Sequence, residues 1–338
     1  MQFLPGQNFD CGQCTKCCRG WRVGVDAASR QRLEDFAGKA AIELYQGRPI
    51  LRRQADGSCG QLDANGLCTA HQIKPDGCRQ FPFRLCRTPE GVSVGVSFYC
   101  SSVQENSGRR LSAHQAELEQ LAADLPILGN QPLLVWDKSK PISMPWQSYR
   151  LLDAFLWDGL EIDDPRERLA RSLWAVIFCL RQGRSSIEPE QLQSALAASL
   201  GPCSPPNEPF EWRLRTLAYQ VIAQTDDLSL SALEGDQRIS WGNWQGRTSD
   251  LSSSKGDQAL LVRYLRALVF RKFLIQRRSI LTNLAALNLA PTLWGLWSNP
   301  GIGPAGYAID QCERRVFTHS NSLDPVLDHL AEELMKII

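Results

Sequence analysis

Cys11-Gly12-Gln13-Cys14-Thr15-Lys16-Cys17-Cys18 places four thiols within eight residues, close enough to converge on one metal centre without help from distant parts of the chain. Thiolates bind Zn²⁺ and the iron of iron–sulfur clusters tightly, and a two-residue spacer lets the backbone turn round the metal with its N–H groups directed at sulfur. Cys59, Cys68, Cys78, Cys86 and Cys100 follow, so nine of the twelve cysteines fall in roughly the first third of the chain. Cys179, Cys203 and Cys312 are scattered through the rest. This number of thiols permits one 4Fe-4S cluster on four of them, a cluster with a Cys₄ zinc, or two zincs. Spacing alone does not divide them among those arrangements.

A crowd of cysteines reads either as a disulfide framework in a secreted domain or as a metal site in a reducing compartment. Met1-Gln2-Phe3-Leu4-Pro5-Gly6-Gln7-Asn8 has no basic region, apolar stretch or small-residue cleavage site of a secretory signal. The expectation is a cytoplasmic protein with metal-bound thiols. The adjacent Cys17-Cys18 pair favours the same reading, since a disulfide between neighbours strains the peptide that joins them.

Lys and Arg total 37 against 36 for Asp and Glu, so no global field draws the chain to nucleic acid or to an acidic membrane surface. No apolar run approaches the roughly 20 residues that span a bilayer. A soluble protein with neither nucleic acid nor membrane as partner is expected. With 338 residues the chain is long enough for two domains.

The elements that must position the thiols can be read in outline. Trp21 to Asp26 alternates like a half-buried strand, and Asp26 is placed to cap a helix over Ala27 to Phe36. From Pro49 to Cys100 the chain reads as short strands and turns. Asp56-Gly57, Asn65-Gly66, Asp76-Gly77 and Pro89-Glu90-Gly91 are turn signals, with most of the later cysteines close by. Phe83 to Arg87 and Val92 to Phe98 predict a hairpin that returns Cys100 toward the Cys78 region. Such a segment is expected to hold together poorly without metal.

Helical periodicity dominates from about Leu111. Helices are predicted over 111–125, 146–157, 188–200, 212–223, 259–276, 280–287 and 324–335. Another starts at Asp164, with Pro165 in its first turn, Glu167 placed for a capping box, and a core stripe of Leu169, Leu173, Val176, Ile177 and Leu180. The stretches 201–206 and 248–256 read as loops. The expected fold class is α+β: a cysteine-rich metal-binding module with short strands and turns over residues 1–110, then a mainly α-helical domain over 111–338.

The string Cys68-Thr69-Ala70-His71-Gln72-Ile73-Lys74-Pro75-Asp76-Gly77-Cys78-Arg79-Gln80-Phe81-Pro82, taken with the amino-terminal cluster, resembles the CxxCxxCC cysteine-cluster family of zinc- or iron-chelating domains. That family carries the quadruple cluster, a further Cys, then Cys-x-x-(Tyr or His)-x-x-(Arg or Lys)-Pro-x-x-Cys-Arg-x-Phe-Pro, and each position is matched. Within it the chain is most similar to the flagellin lysine N-methylase branch, through Gly20 to Asp26, Val94 to Cys100, Phe155 to Arg184 and His319-Ser320-Asn321. The resemblance implies metal ligands among Cys11, Cys14, Cys17, Cys18, Cys59, Cys68, Cys78 and Cys100. It also implies an iron–sulfur cluster, S-adenosylmethionine as methyl donor and a lysine on a flagellin-like protein as acceptor. Two positions depart from the pattern: Cys100 is followed by Ser101 rather than Pro, and Cys86 is an extra thiol. The alternative is a non-enzymatic zinc or iron protein whose metal is structural and whose helices present an interaction surface.

Other candidates are weaker. The radical S-adenosylmethionine spacing Cys-x₃-Cys-x₂-Cys fails because Trp21 stands at its third position after Cys14 and Cys18, which leaves polar methyl transfer as the simpler chemistry. No residue stands out as its base. Gly301 to Gly306 spells G-x-G-x-x-G but follows a helix rather than a strand, so it reads as an inter-helix loop. His71 is either a ligand or a hydrogen-bond partner of sulfur or a carbonyl. His319 reads as a capping or contact residue, Cys179 as a small buried hydrophobe, and the basic helix with Arg263, Arg266, Arg271, Lys272, Arg277 and Arg278 as a solvated surface.

Overall fold

The computed structural model describes residues 1–138, 140–201, 255–297, 305–318 and 324–337, with Phe210 and Leu214. The expected helix over 212–223, the loops at 202–206 and 248–254, Cys203, residues 301–304 and His319 to Asn321 lie outside the described residues. The chain divides into two units, 1–87 with 91–126, and 88–90 with 127–338. It is α+β, with small sheets in the amino-terminal part and mainly helix after it.

The first unit contains β1 (Gln2–Phe3), β2 (Asn8–Phe9), α1 (Lys16–Gly20), α2 (Ala27–Ala37), β3 (Ile42–Tyr45), β4 (Arg48–Leu51), α3 (Asp76–Gln80), β5 (Phe83–Thr88), β6 (Gly91–Val96), α4 (Ser101–Gln104), β7 (Arg109–Arg110) and α5 (Gln115–Ala122). β5 and β6 form the expected hairpin. β1 adds to it in parallel, Gln2 opposite Ser93 and Phe3 opposite Val94, giving the order β1-β6-β5. Asp26 caps α2 as its position predicts, its Oδ1 accepting the Ser29 N–H at 2.8 Å.

Trp21 to Asp26 keeps its alternation in burial, but only Gly24 forms a ladder bridge, opposite Ile50. The segment is extended rather than a strand of its own. The strands it lies against, β3 and β4, are absent from the sequence reading. They join through Gln46 and Gly47, both left-handed at φ 50° and 74°, the conformation of a two-residue hairpin turn. The helix expected over 111–125 is a 3₁₀ turn at Leu111–His114 followed by the short α5.

The second unit adds β8 (Leu133–Trp136), β9 (Ile142–Met144), α6 (Trp146–Ile162), α7 (Pro165–Leu180), α8 (Pro189–Ala198), α9 (Lys255–Phe270), α10 (Ile280–Trp297), α11 (Ala305–Gln311), a π-helical turn at Cys312–Thr318 and α12 (Asp324–Ile337). The β8–β9 hairpin falls where only helix is expected. The α7 stripe is buried at every predicted position. Its start differs in one detail: Asp164 accepts the Arg166 N–H at 2.8 Å, while Glu167 pairs with Arg171 one turn on instead of closing a capping box. α10 packs against α7, α9, α11, α12 and β8, which explains why it is apolar on all sides. Among the described residues no helix is long and apolar enough to cross a membrane.

The basic stretch is not a solvated surface, and the helix expected over 259–276 ends at Phe270, where Lys272 turns left-handed at φ 60° before a short 3₁₀ turn at Phe273–Ile275. Arg271, 3% exposed, donates from Nη1 to Glu313 Oε1 at 2.7 Å, and Tyr264 Oη donates to the same carboxylate at 3.0 Å. Lys272 meets Asp153 at 2.6 Å, and Arg277 and Arg278 both reach Asp324. Arg266 pairs with Glu161 and lies 4.0 Å over the Trp157 ring. The acidic partners come from α6, the π turn and α12, so the helix's own sequence gives no sign of them.

A buried carboxylate left without its cation is expensive, by roughly 3–5 kcal/mol. Arg271→Met is therefore expected to lower the denaturant midpoint of the helical unit strongly, and adding Glu313→Leu to restore most of the loss. Helical circular dichroism during urea unfolding checks both. Equal midpoints for Arg271→Met and the parent protein would contradict the assignment.

Candidate metal centre

The first thiol loop is shaped by backbone conformation. Gln13 and Thr15 on either side of Cys14 are left-handed, at φ 53° and 60°, which turns the chain sharply on both sides of that thiol. Non-glycine residues adopt this region at a cost of about 1–3 kcal/mol each, so surrounding contacts must hold them there. Gly12 N–H donates to Ser102 Oγ at 3.2 Å. Gly20 lies so close to Tyr99 that a Cβ there would overlap its hydroxyl. Trp21 stacks on Tyr99 with centroids 5.0 Å apart and meets the Phe81 ring edge-on at 4.2 Å, and Lys16 Nζ lies 4.7 Å over Tyr99. The segment ending at Cys100 and the loop carrying Cys11 to Cys18 therefore brace one another.

The remaining thiols sit on tight turns. Cys59 bridges back to Arg53 and Cys68 to Leu62. Asp63 Oδ1 accepts the N–H groups of Asn65 and Leu67 at 2.9 and 2.8 Å, which shapes the turn before Cys68. Cys78 lies in α3. Cys59, Cys68 and Cys78 pack together against the apolar group Val25, Leu33, Leu51 and Ala70. The Cys59 N–H donates to the Cys18 carbonyl at 2.9 Å, and Arg53 donates to the carbonyls of Arg19 and Trp21, so this half is tied to the first loop.

These turns open onto one cavity of about 750 Å³. Cys11, Cys14, Cys17, Cys18, Cys59, Cys68, Cys78 and Cys100 all line it, with Trp21, Phe81, Phe83, Lys74, His71 and Glu117 among its other walls. The structure thus brings together every cysteine that the sequence singles out as a ligand. Cys86 is 3% exposed on β5 and belongs to the core, while Cys179 and Cys312 are buried in the helical unit. All described cysteines are free thiols. Among the described residues, no three His, Cys, Asp or Glu side chains already stand at the spacing of one ion's ligands.

Backbone N–H groups point at sulfur as a metal turn requires: Gln61 toward Cys59, Ala70 toward Cys68, and Ser102 and Val103 toward Cys100. Burial nonetheless dominates, raising all three thiols above the ordinary range and pushing Cys78 up to about 12. Cys17 and Cys18 share a proton across 3.9 Å. That hydrogen bond holds Cys17 protonated and lowers Cys18 to about 6, against the opposing effect of burial and with help from Lys74 and Arg19. Most of these thiols keep their protons in water, and a bound cation displaces them. Soft sulfur donors in such number fit zinc or iron–sulfur iron. Lys74, whose charge acts on Cys18, Cys68 and Cys78, is a contributor that sequence reading passed over. It was visible beside Pro75, but only the fold shows which way it faces.

Because the loop is braced rather than self-supporting, metal loading should depend on residues without donor atoms. Gly20→Ala is expected to lower the metal retained per chain at least twofold, whereas Gly24→Ala, where a Cβ meets nothing within 4 Å, should leave it unchanged. Elemental analysis of the two purified variants makes the comparison, and equal retention would dismiss the bracing role of Tyr99.

Comparison with known proteins bears on the same segment. No curated protein and no solved structure matches the chain. Residues 10–107 match the CxxCxxCC family model, described as a putative zinc- or iron-chelating domain. The match supports metal binding by the unit that carries the thiol cavity, and it does not extend to the flagellin lysine N-methylase branch.

Proposed function

We propose that the first unit is a thiolate module carrying an iron–sulfur cluster, and that the chain uses it in methyl transfer from S-adenosylmethionine to a protein lysine. The metal reading is carried by one observation: eight cysteines from five stretches of chain line a single cavity. Four sulfurs with N–H groups directed at them serve zinc and iron–sulfur iron alike, and the choice of iron–sulfur rests on the resemblance to the flagellin lysine N-methylase branch. A bound cluster would supply a thiolate-held iron centre whose potential responds to nearby charge and solvent. The protein's part is to hold it through four of the eight thiols, to offset their charge with Lys74, Arg19 and Arg53, and to shield it with Trp21, Phe81 and Phe83.

The transfer reading rests on the resemblance to the flagellin lysine N-methylase branch. A sulfonium donor already carries a good leaving group, so the protein has mainly to bring a neutral amine into line and take up its proton. His71, exposed at the cavity wall, is a group able to accept that proton.

Protein purified without oxygen is expected to be brown, with broad absorbance near about 400 nm and both iron and acid-labile sulfide. Cys14→Ser and Cys17→Ser should weaken or abolish the colour while Cys179→Ser keeps it in full. A colourless protein with stoichiometric zinc would replace the cluster by a structural metal.

The transfer half is tested by calorimetric titration of S-adenosylmethionine into holo and metal-free protein. Mass spectrometry of candidate partner proteins for added methyl groups follows. Binding to the holoprotein alone is expected. An intact brown protein that ignores the donor leaves the metal module standing and removes the enzyme.

A further inference from the structure

The eight thiols are not evenly spread around the cavity. Cys59, Cys68 and Cys78 share one apolar support, and Cys18 is joined to them through its carbonyl, which accepts the Cys59 N–H. Cys100 caps α4. Ser102, on that short helix, accepts the N–H of Gly12, next to Cys11. The two groups are therefore assembled on different scaffolds, one on the turns packed against Val25, Leu33, Leu51 and Ala70, the other on the contact between the first loop and α4. α1 connects them, since it carries Cys17 and Cys18 in succession with their sulfurs 3.9 Å apart, where the two groups meet.

Mutual electrostatics follows the same division. Cys78 feels Cys59, Cys18 and Cys68, and Cys59 feels Cys18 and Cys68. Cys100 feels Cys14 and Cys11, and Cys17 feels Cys11 and Cys100 besides its neighbour. The crossing influence, apart from the vicinal pair itself, is Cys11 on Cys68, weaker there than that of Cys18.

We propose that the cavity holds two metal centres, one on Cys18, Cys59, Cys68 and Cys78 and the other on Cys11, Cys14, Cys17 and Cys100. The inference rests on the metal reading given above but not on the identity of the metal. Each set supplies four sulfurs, the number that closes either a tetrahedral zinc site or a cubane cluster. Loading releases the protons of the protonated thiols and draws the side chains inward, with no change of oxidation state at sulfur. Cys86 stays out of both sets.

The test uses the full-length chain, stripped of metal and titrated with Zn²⁺ alone, with bound ions counted by native mass spectrometry. The parent protein should take up two ions tightly. Cys59→Ser/Cys78→Ser and Cys11→Ser/Cys100→Ser should each take up one, and the variant combining all four substitutions none. Saturation of the parent at a single ion overturns the proposal without reference to any variant's folding. Loss of both ions in either double variant overturns it as well, since that indicates one joint centre. Iron and sulfide in the protein as isolated report separately on the cluster reading. A protein with iron but one zinc equivalent refutes the partition alone, and a protein that binds neither metal refutes both.

Discussion

Bringing eight thiols to face one cavity is a constraint that apolar packing does not satisfy by itself, and the architecture of the first unit follows from it. The apolar support beneath Cys59, Cys68 and Cys78 consists of Val25, Leu33, Leu51 and Ala70, a small core for a segment built largely of turns. Burial holds Cys59, Cys68, Cys78 and Cys100 protonated, so without a cation they contribute little more than small side chains facing an opening. Metal binding reverses both terms. In small thiolate domains it contributes about 10–16 kcal/mol of apparent free energy, which is folding free energy when the unfolded chain has no site.

The helical unit is stabilised differently. α10 is surrounded by other elements and buries Leu281, Leu284, Leu287, Leu289 and Leu293. Charge is used inside it, where Arg271 and Tyr264 both donate to the Glu313 carboxylate. Asn283 donates to the carbonyls of Leu274 and Gln276, at 3.0 Å each, supporting the turn between α9 and α10. Buried polar groups of this kind cost stability when incomplete and fix one arrangement when complete. The two units thus reach order by different means, one through donors awaiting a cation and the other through partners already in place.

What the sequence discloses follows the range of the interactions involved. The cysteines were legible because ligand chemistry restricts residue type and spacing, and the α2 cap and the α7 stripe because capping and helical periodicity are local. The β3–β4 hairpin was missed although Gln46-Gly47 between Ile42-Glu43-Leu44-Tyr45 and Arg48-Pro49-Ile50-Leu51 carries a turn signal. Leu44 is 74% exposed and Pro49 interrupts the second strand's pattern. β8 and β9 were lost within a region dominated by helix. The basic helix was misread for a different reason: Asp153, Glu313 and Asp324 lie more than forty residues from the cations they meet. Cys86 could not be separated from the other thiols by spacing, and it is burial on β5 that removes it.

The adjacent pair Cys17-Cys18 is where these considerations meet. Their sulfurs stand 3.9 Å apart, so on the two-centre arrangement α1 supplies one ligand to each of two adjoining centres. The surroundings of the two sets also differ. Lys74 acts on Cys18, Cys68 and Cys78, and Arg53 on Cys59, while Cys11 and Cys14 are exposed. Nearby cations stabilise the more reduced, more negative state of a thiolate-held metal, and solvent access favours exchange of ligands at it. On the two-centre arrangement, the set beside Lys74 is therefore the one suited to hold a permanent metal, and the set formed with Cys11 and Cys14 the one that an incoming molecule can reach.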